Sequence, residues 1–170
     1  MLKELTIRNI ALIESLRIEF AQGFNVLTGE TGAGKSILID SINMALGARA
    51  SHDLIRNGCD FALADLCFEV DDKTTIAALE DLGVEVEDGI VSLSRKLTTD
   101  GKSVCRINGG IVTAGVVRAI APLLIDIHGQ NDNQSLLSPK PHLGFLDSFG
   151  GLCEDVDKYR IEYKKMKHIM

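Results

Sequence analysis

Eight consecutive residues, Gly29-Glu30-Thr31-Gly32-Ala33-Gly34-Lys35-Ser36, fit the pattern G-x-x-x-x-G-K-[ST] at every fixed position. The chemistry open to such a segment is the binding of phosphate. Glycines at 29, 32 and 34 let the backbone curl until successive N–H groups point inward around an anion. A helix that begins at the end of the loop turns its positive pole toward the same anion. Lys35 supplies a point charge for β- and γ-phosphates, and the Ser36 hydroxyl is suited to ligate Mg²⁺. The competing reading is a glycine-rich turn with an incidental lysine. Context separates the two, because the mechanism needs a strand before the loop and a helix after it.

The flanking elements meet that demand. Phe24–Thr28 (FNVLT) reads as a short β-prone run ending directly at Gly29. Beyond Gly34 the period changes: Leu38, Ile42, Ala45 and Leu46 recur at helical spacing, and Gly47 is a natural C-terminal stop. Leu2–Ile7 and Leu16–Phe20 alternate as half-buried strands do, and Phe61–Val70 reads as another strand. A short helix is expected over Lys73–Leu82, closed by Gly83. Ile90–Leu97 and Ser103–Asn108 alternate on either side of Thr99-Asp100-Gly101-Lys102, a strong hairpin signal, because Asp-Gly tolerates positive φ. Val112–Ala121 is expected to be a helix ended by Pro122, and a further helix starts near His142.

Leu123–Ile127 (LLIDI) is a nearly all-apolar run that reads as a buried strand. Its Asp126 is the obvious candidate for the second carboxylate that a complete nucleotide hydrolase needs near its magnesium shell. A residue that merely caps the strand is the preferred alternative. The polar loop that follows, His128 to Gln134, contains Gln130, whose side-chain oxygen could reach a metal-bound water or simply be solvated.

The bulk numbers bound the rest. A chain of 170 residues with 45% hydrophobic content can bury one core, and with 5% aromatics and no tryptophan that core is aliphatic, which suits a parallel-type sheet flanked by helices. The net charge of −6 argues against a dedicated nucleic-acid coat. Cys59, Cys67, Cys105 and Cys153 are too scattered for a zinc site and read as reduced thiols. No apolar run approaches the roughly 20 residues that cross a bilayer, so a soluble, cytoplasmic protein with no membrane partner is expected. Leu152, Val156, Tyr159, Tyr163, Met166 and Met170 follow heptad spacing, which fits the start of a coiled coil or an amphipathic helix lying on the domain. Lys158, Arg160, Lys164, Lys165 and Lys167 in the same segment read as a solvated face, with DNA contact as the alternative.

Taken together, several segments resemble the RecN family: LTIRNIALIESLRIEF at Leu5–Phe20, FNVLTGETGAGKSILIDSINMALG at Phe24–Gly47, IRNG at Ile55–Gly58, the hairpin region at Asp100–Gly109, LLIDIHGQNDNQSLL at Leu123–Leu137 and HLGFLDSFGGL at His142–Leu152. The resemblance covers nearly the whole chain. It implies an α/β P-loop NTPase of the ABC/SMC head type, its N-terminal half, with an added antiparallel β subdomain and a C-terminal helix beginning a coiled coil. Residues 1–150 would be the N-terminal lobe of the head and 151–170 the start of the stem.

The same resemblance implies an ATPase in DNA double-strand-break repair and recombination, bacterial and nucleoid-associated, with ATP and Mg²⁺ as cofactors. Gly29, Glu30, Thr31, Gly32, Ala33, Gly34, Lys35 and Ser36 would bind the nucleotide, and Ser36 and Gln130 the metal. Lys35 and Gln130 would serve the chemistry, Gln130 as the Q-loop glutamine, so that Asp126 is not the Walker B carboxylate. Arg56 falls where SMC-like heads carry an arginine linked to DNA sensing; a plain surface arginine is the other reading. Expected partners are the C-terminal half of the same head, a second head in an ATP sandwich, and DNA through the full-length protein. The 170 residues contain no LSGG-type signature and no convincing Walker B segment, so the chain is expected to be half a head that binds ATP and hardly hydrolyses it. Two rival readings are a compact P-loop kinase or GTPase using Asp126 as Walker B, and a non-catalytic assembly module.

Overall fold

A computed structural model describes residues 1–28, 34–127 and 142–169. They fall into two compact units, Met1–Asp126 and Ile127–Met170.

The first unit is built on a six-stranded sheet in the order β2-β1-β3-β4-β5-β6, with every pairing antiparallel. The strands are β1 (Leu2–Ile10), β2 (Ile13–Glu19), β3 (Phe61–Glu69), β4 (Ile90–Thr98), β5 (Ser103–Ile107) and β6 (Gly110–Val112). Period-2 alternation turns Leu5 and Ile7, then Ala62, Ala64, Leu66 and Phe68, then Val91, Leu93 and Leu97, to the buried side, and Ile10, which follows Asn9 at positive φ, is buried out of that phase. Helix α1 (Gly34–Ala45) packs against β1, β3 and β4. Helix α2 (Lys73–Asp81) packs on α3 (Ala114–Leu124), which in turn meets β5. Side-chain caps start both: Asp72 accepts from the Thr75 N–H at 2.8 Å, and Thr113 from the Val116 N–H at 3.4 Å.

Where the sequence is read by alternation, the strands form as expected, most of them a residue or two longer or shorter than the alternation marks. Three expectations are corrected. Phe24–Thr28 pairs with no strand, and Phe24 is 94% exposed. The segment 123–127 is not a strand either: α3 runs through Pro122 to Leu124, and Ile125 is extended but unpaired in the sheet. Among the described residues the sheet is therefore purely antiparallel, and the parallel-type sheet inferred from composition is not formed. Strand β6 was not foreseen. Its signal is Asn108-Gly109, both at positive φ (48° and 79°), the type I′ combination that closes a two-residue hairpin. Asn108 also ties this turn to its surroundings, its Oδ1 accepting from Ser92 N–H at 2.8 Å and its Nδ2 donating to Glu85 O at 2.7 Å.

The expected β4–β5 hairpin is present. Gly101 sits at φ +89°, Lys102 bridges Asp100 at 2.7 Å, and the Thr98 hydroxyl donates to Asp100. The Lys102 ammonium, helped by Thr98, pushes the Asp100 pKa down to about 2. A carboxylate depressed in the folded state adds stability above its ordinary range, and that contribution vanishes as pH falls through the folded value. Following the Asp100 carboxyl by NMR should give a midpoint near 2. Lys102→Ala should move that midpoint back toward the ordinary aspartate value and flatten the stability profile at acid pH. The pair is fully exposed, so the effect is small.

In the second unit, α4 (His142–Phe149) and α5 (Cys153–Ile169) are joined by a glycine turn in which Gly151 has φ +67° and Leu152 N–H returns to Asp147 O at 2.8 Å. Along α5, Tyr159 stacks on Tyr163 with ring centroids 6.2 Å apart. The heptad residues Leu152, Tyr159, Tyr163 and Met166 are exposed. Three of the five basic residues are taken up by i,i+3 ion pairs, Lys158–Asp155, Arg160–Asp157 and Lys165–Glu162, as a solvated face would have them. No described helix is long and apolar enough to cross a membrane.

Candidate functional site

The described part of the site is the first turn of α1. Gly34, Lys35 and Ser36 open this helix and are exposed, so the positive pole of the helix lies at the surface. Such a turn fits an anionic phosphate. Gly29, Glu30, Thr31, Gly32 and Ala33 lie outside the described residues, as does Gln130. The structure thus confirms the helix after the loop and corrects the strand before it.

Everything below that first turn fixes the helix. Leu38, Ser41, Ile42, Met44 and Ala45 are buried, a stripe at helical spacing that seats α1 on the sheet. The buried Ser41 hydroxyl is satisfied by donating to Ile37 O at 2.6 Å. At the C-terminal end Ala48 N–H returns to Asn43 O at 3.0 Å and Gly47 N–H to Met44 O at 3.1 Å, the paired bonds of a Schellman cap with Gly47 at φ +88°. A Cβ on Gly47 would stand 2.9 Å from the Ala114 carbonyl oxygen, so this glycine also lets α3 approach.

Arg95 completes the clamp from β4. Its Nη1 donates to Met44 O at 3.0 Å and to Ala48 O at 2.6 Å, and its Nε donates to the Ser103 hydroxyl at 3.0 Å. Arg95 belongs to no motif in the sequence. The signal was there: in the alternation Val91, Leu93, Arg95, Leu97, an arginine occupies a core-facing position.

Two other singled-out residues change meaning. Arg56 donates from Nη1 to Leu12 O at 2.7 Å, while its own N–H reaches Asn9 O at 3.0 Å. It buttresses the β1–β2 turn, where Asn9 and Ala11 have positive φ. Asp126 is exposed and lies beyond α3 rather than at the end of a strand, so the premise of the compact kinase or GTPase reading is missing. Cys59, Cys67 and Cys105 are free thiols, and burial, then Glu4, pushes the Cys67 thiol up.

With that geometry in hand, comparison with known proteins decides the family. The profile described as AAA domain matches residues 4–135. The chain belongs to this AAA domain family. The expected likeness to RecN proteins holds: the chain is 46% identical over 168 residues to the DNA repair protein RecN of Halalkalibacterium halodurans, covering 97% of this chain and 30% of that protein. It therefore spans about a third of the length of that curated relative.

Solved structures place the fold of this AAA domain among SMC heads. An SMC ATPase chain, from work on ATP-driven dimerization and DNA-stimulated activation, superposes with a TM-score of 0.62 at 23% identity, over 87% of this chain and 98% of that one. The Smc head domain of Pyrococcus furiosus, with an extended coiled coil and bound to the C-terminal domain of ScpA, gives 0.64 at 22% identity, over 98% and 46%. These likenesses confirm the SMC-type head fold.

Proposed function

We propose that this AAA domain is the ATP-binding N-terminal part of a RecN-like, SMC-type ATPase that acts in DNA double-strand-break repair and recombination. The observation that carries the reading is Gly34-Lys35-Ser36 forming the exposed first turn of a helix whose far end is clamped to the sheet, in a chain related to RecN. Lys35 and the α1 amide groups bind phosphate, Ser36 holds Mg²⁺, and Gln130 reaches the metal or its water. Gly29, Glu30, Thr31, Gly32 and Ala33 supply the remaining backbone of the loop. When bound, the metal neutralises charge on the phosphates.

In this reading residues 1–150 form the lobe and 151–170 begin a coiled-coil stem, consistent with the exposed heptad residues of α5. Partners are the C-terminal half of the head, a second head across sandwiched ATP, and DNA, in a bacterial cytoplasm. The exposed Phe24, Val26 and Leu27 suit strand pairing with that C-terminal half. Alone, the 170 residues bind ATP and scarcely hydrolyse it, because no Walker B or signature segment is among them.

Calorimetric titration with Mg-ATP and Mg-GTP, with phosphate release measured on the same samples, tests this. Saturable binding of Mg-ATP without turnover is expected. Robust turnover by the chain alone would overturn the half-head reading and restore Asp126 as a working carboxylate.

A further inference from the structure

The proposed nucleotide site stands on α1, and the structure assigns to Arg95 the role of positioning that helix from the end opposite its phosphate-binding turn; the inference rests on the proposed function. Arg95 is 7% exposed and is the one buried charged side chain among the described residues. No carboxylate pairs with it there. Its guanidinium instead engages two carbonyls at the C-terminal end of α1, Met44 O and Ala48 O, and the Ser103 hydroxyl beside them.

A buried cation without a counter-ion is costly unless acceptors surround it. Here they are the Met44 carbonyl in the last turn of α1 and the Ala48 carbonyl just beyond it, at the negative pole of the helix. The planar guanidinium fork fits this arrangement, since separate nitrogens serve the helix end and Ser103 at once; a lysine ammonium offers one point. Ser103 follows directly on the Asp100–Lys102 hairpin, so the turn holds the hydroxyl that orients Arg95.

The consequence at the other end is geometric. Twelve residues at 1.5 Å each make α1 roughly 18 Å long, so a tilt of about 10° at Arg95 moves the first turn by ~3 Å. Displacements of ~1 Å are enough to degrade a bound geometry. Arg95 touches no ligand; it holds the axis that aims Gly34, Lys35 and Ser36.

Arg95→Met, Arg95→Lys and a control, Leu79→Ala, test this by Mg-ATP titration and amide hydrogen exchange below the melting temperature. Leu79 is fully buried in α2, which packs on α3, so its loss destabilises the fold without touching the α1 clamp. Arg95→Met should weaken Mg-ATP binding about tenfold and speed exchange in α1 relative to β1 and β3. Arg95→Lys should lie between it and wild type, and Leu79→Ala should melt earlier yet bind within about twofold of wild type. Unchanged affinity or unchanged α1 exchange in Arg95→Met overturns the assignment, as does an equal loss of affinity in Leu79→Ala. If wild type itself takes no nucleotide, the proposed function fails, and the exchange data alone judge the anchor. If Arg95→Met does not fold, Arg95→Lys carries both readouts.

Discussion

Lys35→Ala is expected to weaken Mg-ATP binding by about one to two orders of magnitude while leaving the fold intact. The lysine stands exposed in the first turn of α1, where its charge can meet phosphate oxygens. A charge-assisted hydrogen bond contributes roughly 1.5–3 kcal/mol, and each 1.4 kcal/mol is about tenfold in affinity. Removing an exposed side chain from a helix costs little stability, and alanine is the best helix former, so the melting curve should shift by less than about 1 kcal/mol in stability. Titration calorimetry and thermal unfolding on the same preparation check both halves. Wild-type affinity in Lys35→Ala would mean that the loop does not hold phosphate, and the function proposed for it would fall.

Gly47→Ala should be among the most damaging single methyl additions in the chain. At φ +88° any L side chain is strained, by about 1–2 kcal/mol. The added Cβ would also lie 2.9 Å from the Ala114 carbonyl oxygen and 3.0 Å from Arg118 Cγ. The side chain can swing away, but the backbone oxygen at the start of α3 cannot move without shifting that helix. Together the two effects amount to roughly 2–4 kcal/mol. Gly101→Ala is the internal control. Its φ is +89°, yet nothing lies within 4 Å, so only the backbone strain of about 1–2 kcal/mol remains. Denaturant unfolding of the two variants separates them, and equal losses would show that the approach of α3 to the cap is not tight.

Arg95 and Gly47 meet at one place, the C-terminal cap of α1. Three independent devices converge there: the Schellman bonds, the close passage of α3 and the guanidinium from β4. Their concentration at the far end of the phosphate-binding helix makes sense if the fold must hold the helix axis while its first turn stays open to a ligand.

How much of this could be read from residues alone follows from the range of the interactions involved. Alternation over Phe61–Glu69 and Ile90–Thr98 marked strands, because each residue's side of a sheet is a local, period-2 property. Asp100-Gly101 marked a hairpin and Gly47 a helix stop, because positive φ is decided residue by residue. The G-x-x-x-x-G-K-[ST] spacing marked the site for the same reason: the loop's ligands are its own consecutive N–H groups and the next helix turn. Phe24–Thr28 and 123–127 carry equally good strand composition, but no neighbour in the described residues pairs with the first, and the second is shared between the end of α3 and an unpaired extension. Strand propensity says that a segment fits a sheet; only a partner across the ladder makes it a strand. Arg95 and Arg56 show the same limit. The alternation marks Arg95 as core-facing and nothing local marks Arg56, yet each acquires its role from carbonyls 44 to 51 residues away, which only the folded chain brings within hydrogen-bond distance.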